Sequence, residues 1–170
     1  MAGALDCDME EVTVYPDTDS PVWLLGHQLS AKYDLAELRE LVLTRPWMTY
    51  RRDFPPIGES GLTSDQVSMT RLMMDQYYDC CDQGWGCMLR CGQMVLAGAL
   101  LDVKLGRDWR WRLEAEQREP EYLGVMERFL DNKSAEYSIH QISLMGESVD
   151  RKPVGTWFGP NTVAQVQKWR

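Results

Sequence analysis

The chain has 170 residues, 44% of them hydrophobic, and its 26 acidic and 18 basic side chains leave a formal net charge of −8 at pH 7. That composition belongs to a globular domain with a sizeable core and excludes disordered, collagenous and coiled-coil chains. The acidic balance excludes a sequence-independent grip on phosphate backbones, so no nucleic-acid partner is expected.

In chain order, residues 1–20 are acidic and aperiodic and read as a flexible tail. Acids arrive at Asp6 before any apolar core of a leader, so no secretory signal is expected. Apolar character begins at Val22, and a helix is predicted from about Leu35 to Arg45, with Asp34 as cap and Glu37 at capping-box spacing. Leu35, Leu38, Leu41 and Val42 share one face, and Pro46 stops the helix. Trp47 to Arg51 reads as a short strand, and residues 55–65 as turn chemistry. The strongest helix is predicted over Met88–Lys104, ended by Gly106. Further helices are expected from Pro120 to about Leu130, from Ile139 to Met145 behind a Ser138 cap, and from about Asn161 after Pro160. That last helix lacks a stop signal, so the chain reads as the front part of a larger domain. No apolar run reaches the roughly 18 residues that span a bilayer.

Chemistry concentrates in Gly84-Trp85-Gly86-Cys87-Met88-Leu89-Arg90-Cys91-Gly92-Gln93. Two glycines permit a tight turn, and Cys87 falls in the first turn of a helix. There the unpaired N–H groups and the helix dipole favour a thiolate nucleophile and could hold an oxyanion. The decapeptide alone is equally consistent with a small buried core cysteine. The other cysteines are Cys7, Cys80, Cys81 and Cys91. An odd count without a leader points to a reducing, cytoplasmic setting rather than a disulfide framework. Their spacing has no C-x-x-C pair, so no metal and no cofactor is expected. Cys87 and Cys91 face the same side of one helix, so an oxidative bridge or sulfenylation there would act as a redox brake.

The same decapeptide resembles the nucleophile segment of the autophagins, the papain-like cysteine peptidases that trim and delipidate the ubiquitin-like autophagy modifier. Further stretches agree in order: Pro21 to Gly26, Trp47 to Arg51, Leu105 to Trp111, Tyr137 to Ile142, and Trp157 to Val166. The resemblance implies an α+β fold: the N-terminal part of a papain-like cysteine peptidase domain over residues 21–170, incomplete, with the nucleophile at the N-terminus of a central helix. Cys87 matches the nucleophile, and Tyr50 a tyrosine that donates to the developing oxyanion. Trp157 matches a tryptophan that walls the slot for the substrate's C-terminal glycine. Tyr50 and Trp157 read in isolation also suit core packing.

The family's catalytic Asp and His lie in an Asp-Pro-His stretch that this sequence does not contain. His140 matches a family histidine that is not the base, and His27 has no orienting neighbour in sequence. The implied function is cleavage after the modifier's C-terminal glycine, both for processing and for release from phosphatidylethanolamine, with the isolated chain catalytically inactive. Membranes enter only through the lipidated substrate. The alternative is a non-catalytic isoform that binds the modifier as a decoy. Residues 67–83 have no counterpart in the family spacing and read as an insert. It is either an in-frame retained intron or gene-model error, or a lineage-specific loop, expected to project to the surface near the active-site mouth.

Overall fold

A computed structural model describes residues 18–57, 80–111 and 120–168. They fall into two units, one holding residues up to Thr44 with Arg110 and Trp111, the other running from Arg45 to Trp109 and resuming at Pro120.

In the first unit, strands β1 (Pro21–Leu24) and β2 (His27–Ser30) pair antiparallel, with Val22 opposite Leu29. The two-residue turn Leu25-Gly26 has positive φ at both positions, the geometry whose twist matches that of the strands. Helix α1 (Leu35–Leu43) buries Leu38 and Leu41 against Leu29, with Val22 and Leu24 at the edge. Asp34 does not cap α1 with its side chain, because its Oδ2 accepts from Ser30 N at 2.8 Å and is spent on the turn out of β2.

The second unit is built around α2 (Cys87–Leu105), which leaves the helix at Gly106 as expected. It packs against α3 (Pro120–Glu127), α4 (Ile139–Asp150) and α5 (Pro160–Lys168). Leu89 near its start joins Trp85, Ile139, Ile142, Phe158, Val163 and Val166 in one core. Ala97 and Leu101 further along join Met48, Val125, Phe129 and Tyr137 in another. The Cys87 end of α2 therefore rests on α4 and α5.

Several predicted boundaries move for physical reasons. Trp47 to Arg51 is not a strand; only an isolated bridge, Arg52 to Cys81, forms beside it. The Arg51 N–H instead meets the carboxylate of Asp82. Helix α3 stops at Glu127 rather than Leu130, because the Arg128 carbonyl is taken at 2.7 Å by the Tyr137 N–H. Residues 128–130 close as tighter i→i−3 turns. Helix α4 keeps its Ser138 cap, whose Oγ accepts from Gln141 N at 3.2 Å, but runs past Met145 to Asp150. Gly146 interrupts the apolar pattern there because the Phe158 ring occupies the space a side chain would need. Among the described residues no helix is long and apolar enough to cross a membrane.

Candidate active site

The site forms where the chain turns into α2. Asp82 is fully buried, and its carbonyl accepts from Trp85 N at 3.3 Å and Gly86 N at 2.8 Å, closing the tight turn that delivers Cys87 to the first helical position. A Cβ on Gly86 would sit 2.7 Å from the Asp82 side chain, so only glycine lets the turn close this far. The first N–H groups of α2 have no partner within the helix, which sets a positive end beside the thiol.

The indole Nε1–H of Trp157 donates to that sulfur, Cys87 Sγ, at 3.2 Å. Tyr50 lies beside Cys87, and its pKa is raised, first by partial desolvation and then by its electrostatic interaction with Cys87, with smaller contributions from Asp82 and Cys91. The phenol therefore stays protonated where thiols ordinarily ionise. Tyr50 is 49% exposed, Trp157 56%, and Cys87 partly buried, so the sulfur stands at an open rim. Cys91 is exposed one turn further along α2. Sequence reasoning named these four residues; the fold sets the Trp157 indole on Cys87 Sγ and Tyr50 close by.

His140 is engaged elsewhere in the second unit. The His140 ring is buried, Nε2 facing the Pro55 carbonyl at 2.5 Å, with the Phe54 ring edge-on. Its Nδ1 has no partner, so protonation would bury an unpaired N–H. Burial accordingly pushes its pKa below the ordinary histidine value, against the opposing pull of the Pro55 carbonyl. His27, in the first unit, faces Arg110 at 3.3 Å.

Beneath the rim lies a polar network that sequence reasoning missed. Arg90 is 4% exposed; its Nε donates to Asp82 Oδ2 at 2.6 Å, and its two terminal nitrogens grip Asp131 at 2.8 and 3.1 Å. Arg90 also donates to Gln93 Oε1 at 3.1 Å, and Gln93 Nε2 donates to the Tyr137 carbonyl at 2.7 Å. Burial pulls the Arg90 pKa down, but Asp131 and then Asp82 outweigh it and leave it raised. The signal for this network was present: Arg90 and Gln93 occupy the same inward stripe of α2 as Ala97 and Leu101. Asp82 was hidden because it falls inside the 67–83 segment. That segment was expected to project to the surface, yet Cys81 and Asp82 at its end are buried. The Cys81 carbonyl accepts from Trp85 Nε1 at 2.8 Å.

A thiol at a helix start with two neighbouring donors is the arrangement of a cysteine peptidase nucleophile. The chain matches the peptidase C54 catalytic domain over residues 35–169 and belongs to that family of cysteine peptidases. It is 47% identical over 161 residues to cysteine protease ATG4A of Xenopus laevis, covering 95% of this chain and 35% of the relative. Against the same-named human protein the identity is 48% over 154 residues, covering 91% and 34%. Cysteine protease ATG4B of Gallus gallus is 45% identical over 154 residues. The chain thus spans about a third of the length of the curated relatives it matches.

Proposed function

We propose that this chain carries the nucleophile-bearing part of an autophagy thiol peptidase that cleaves after the C-terminal glycine of a ubiquitin-like modifier. The same chemistry would trim the precursor and release the modifier from phosphatidylethanolamine, in the cytoplasm and with no metal or cofactor. The observation that carries this reading is the Trp157 indole N–H on Cys87 Sγ at the start of α2, with Tyr50 beside it. It is joined by membership in the peptidase C54 family and by the autophagin resemblance.

In this reading Cys87 attacks the glycine carbonyl carbon, and Tyr50 donates to the alkoxide that forms. The flat face of Trp157 makes a slot that passes glycine and rejects a β-carbon. The amine leaves with a proton, a thioester remains, and water hydrolyses it. An imidazole must take the thiol proton and return it to the amine. His140 is committed to Pro55 and His27 lies with Arg110 in the first unit, so these 170 residues alone bind the modifier without turning it over. That binding-only state is also how the decoy reading would act. Cys91, exposed one turn from Cys87, would serve as the redox brake.

The 67–83 segment remains an insertion in this account. Asp65-Gln66 repeats as Asp82-Gln83, so excising 65–81 yields the same polypeptide as excising 67–83. The burial of Asp82 favours the description that keeps it.

The test is calorimetric titration with the modifier precursor, with cleavage followed in parallel. Saturable binding without product, lost in Trp157→Ala, is the expected result. Absence of binding would reject the modifier as substrate, and turnover matching a full-length relative would reject the inactivity of the isolated chain.

A further inference from the structure

One residue, Asp82, ties the segment behind Tyr50 to the turn that delivers Cys87. Asp82 Oδ1 accepts from the backbone N–H of Arg51, the residue after Tyr50, at 2.5 Å. The Arg51 carbonyl in turn accepts from Asp82 N at 3.2 Å, so residues 51 and 82 clasp each other in both directions. Oδ2 takes Arg90 Nε on the first turn of α2, and the Asp82 carbonyl takes the N–H groups of Trp85 and Gly86. Among the described residues the backbone around Tyr50 has no strand partner, only the adjoining Arg52–Cys81 bridge.

We infer that Asp82 is a positioning residue: its buried carboxylate locks the backbone behind Tyr50 to the turn before Cys87 and so sets the Tyr50 hydroxyl at the place where the alkoxide develops. Asp82 touches neither substrate nor sulfur; it acts through Arg51, Gly86 and Arg90. The inference rests on the reading of Cys87 as nucleophile. Asp131 and Gln93 hold Arg90 from the far side, so the lock has a rigid anchor in α2 and the turn ahead of α4. Neutral side chains at position 82 could still meet the Arg51 N–H but would lose the ion pair with Arg90.

Two electrophiles with different demands test this on the 170-residue chain, read by peptide mass spectrometry at Cys87. With a peptide glycyl chloromethyl ketone the Cys87 thiolate adds to the carbonyl carbon and gives an alkoxide; sulfur then passes from that carbon to the methylene, chloride leaves and the carbonyl re-forms. Iodoacetamide alkylates by direct displacement of iodide, with no alkoxide. The ratio of the two rates therefore reports alkoxide support, separately from exposure of the thiol. Asp82→Asn should lower the ratio about tenfold, within the roughly 10²-fold that a 1 Å misplacement can cost. Tyr50→Phe should lower it at least as far, and the double variant no further than Tyr50→Phe alone. If Asp82→Asn does not fold, Asp82→Glu keeps the charge against Arg90 while displacing the carboxylate by a methylene, and should lower the ratio several-fold. An unchanged ratio in the variant that folds, or effects that multiply in the double variant, would overturn the inference. Failure of unaltered Cys87 to react with the ketone at all would instead overturn the nucleophile reading, and the inference with it.

Discussion

The rim and the floor of this site obey opposite rules. At the rim, Cys87, Tyr50 and Trp157 are half-exposed and held by few contacts, with one N–H···S bond of 3.2 Å between Trp157 and Cys87. On the floor, Asp82, Arg90 and Gln93 are buried, charged or polar, and each is fully engaged. Reactive groups must meet substrate and so cannot be sealed, and a buried charge is tolerable only when all its partners are in place. Chemistry and stability are thus assigned to different residues around the start of α2, and substitutions should separate them.

The largest separation is expected at Cys87. Cys87→Ala should abolish capture of the glycyl chloromethyl ketone while changing unfolding free energy by less than about 1 kcal/mol, measured by urea titration. Arg90→Ala should do the reverse. It leaves Asp82 and Asp131 facing each other without their cation and should cost about 3–5 kcal/mol in the same titration. A stability loss at Cys87 as large as that at Arg90 would erase the distinction between rim and floor.

His140 sharpens the contrast through pH. Its folded-state pKa lies below the ordinary value of about 6.5, so the unfolded chain binds the proton more readily. Stability is full above about pH 6.5 and falls on acidification towards the folded value, by up to about 1.4 kcal/mol per pH unit. His140→Gln, which keeps a donor for Pro55, should flatten that slope in urea titrations repeated across the range. The smallest effect is expected at Ser138. Ser138→Ala removes the α4 cap and should cost about 1 kcal/mol without altering the capture rate at Cys87.

Local signals carried the helices into the sequence. Ser138 marked the start of α4, Pro120 and Pro160 the starts of α3 and α5, and Gly106 the end of α2. Cys87, Tyr50 and Trp157 were singled out through the autophagin resemblance, and Cys87 also through its helix-start context, which the start of α2 at Cys87 matches. What stayed illegible depends on partners distant in the chain. The Trp47–Arg51 strand fails because the Arg51 N–H finds a side-chain carboxylate 31 positions away rather than a neighbouring strand. Asp82 stayed hidden because spacing cannot choose between two identical Asp-Gln pairs; only burial against Gly86 and Arg90 distinguishes them. Arg90 and Gln93 could have been noticed as polar residues on an apolar stripe, but their partners Asp131 and Tyr137 lie beyond local pattern.

The central claim is that the Cys87 thiol is the poised nucleophile of this chain rather than one cysteine among several. The direct test is a competition for a limiting amount of the glycyl chloromethyl ketone, read out cysteine by cysteine. Cys91 is the more exposed of the two and stands as the internal control. The account predicts that Cys87 takes most of the label, by about tenfold or more over Cys91, as a thiol supported at a helix start should. Labelling that follows exposure, with Cys91 ahead of Cys87, would contradict it.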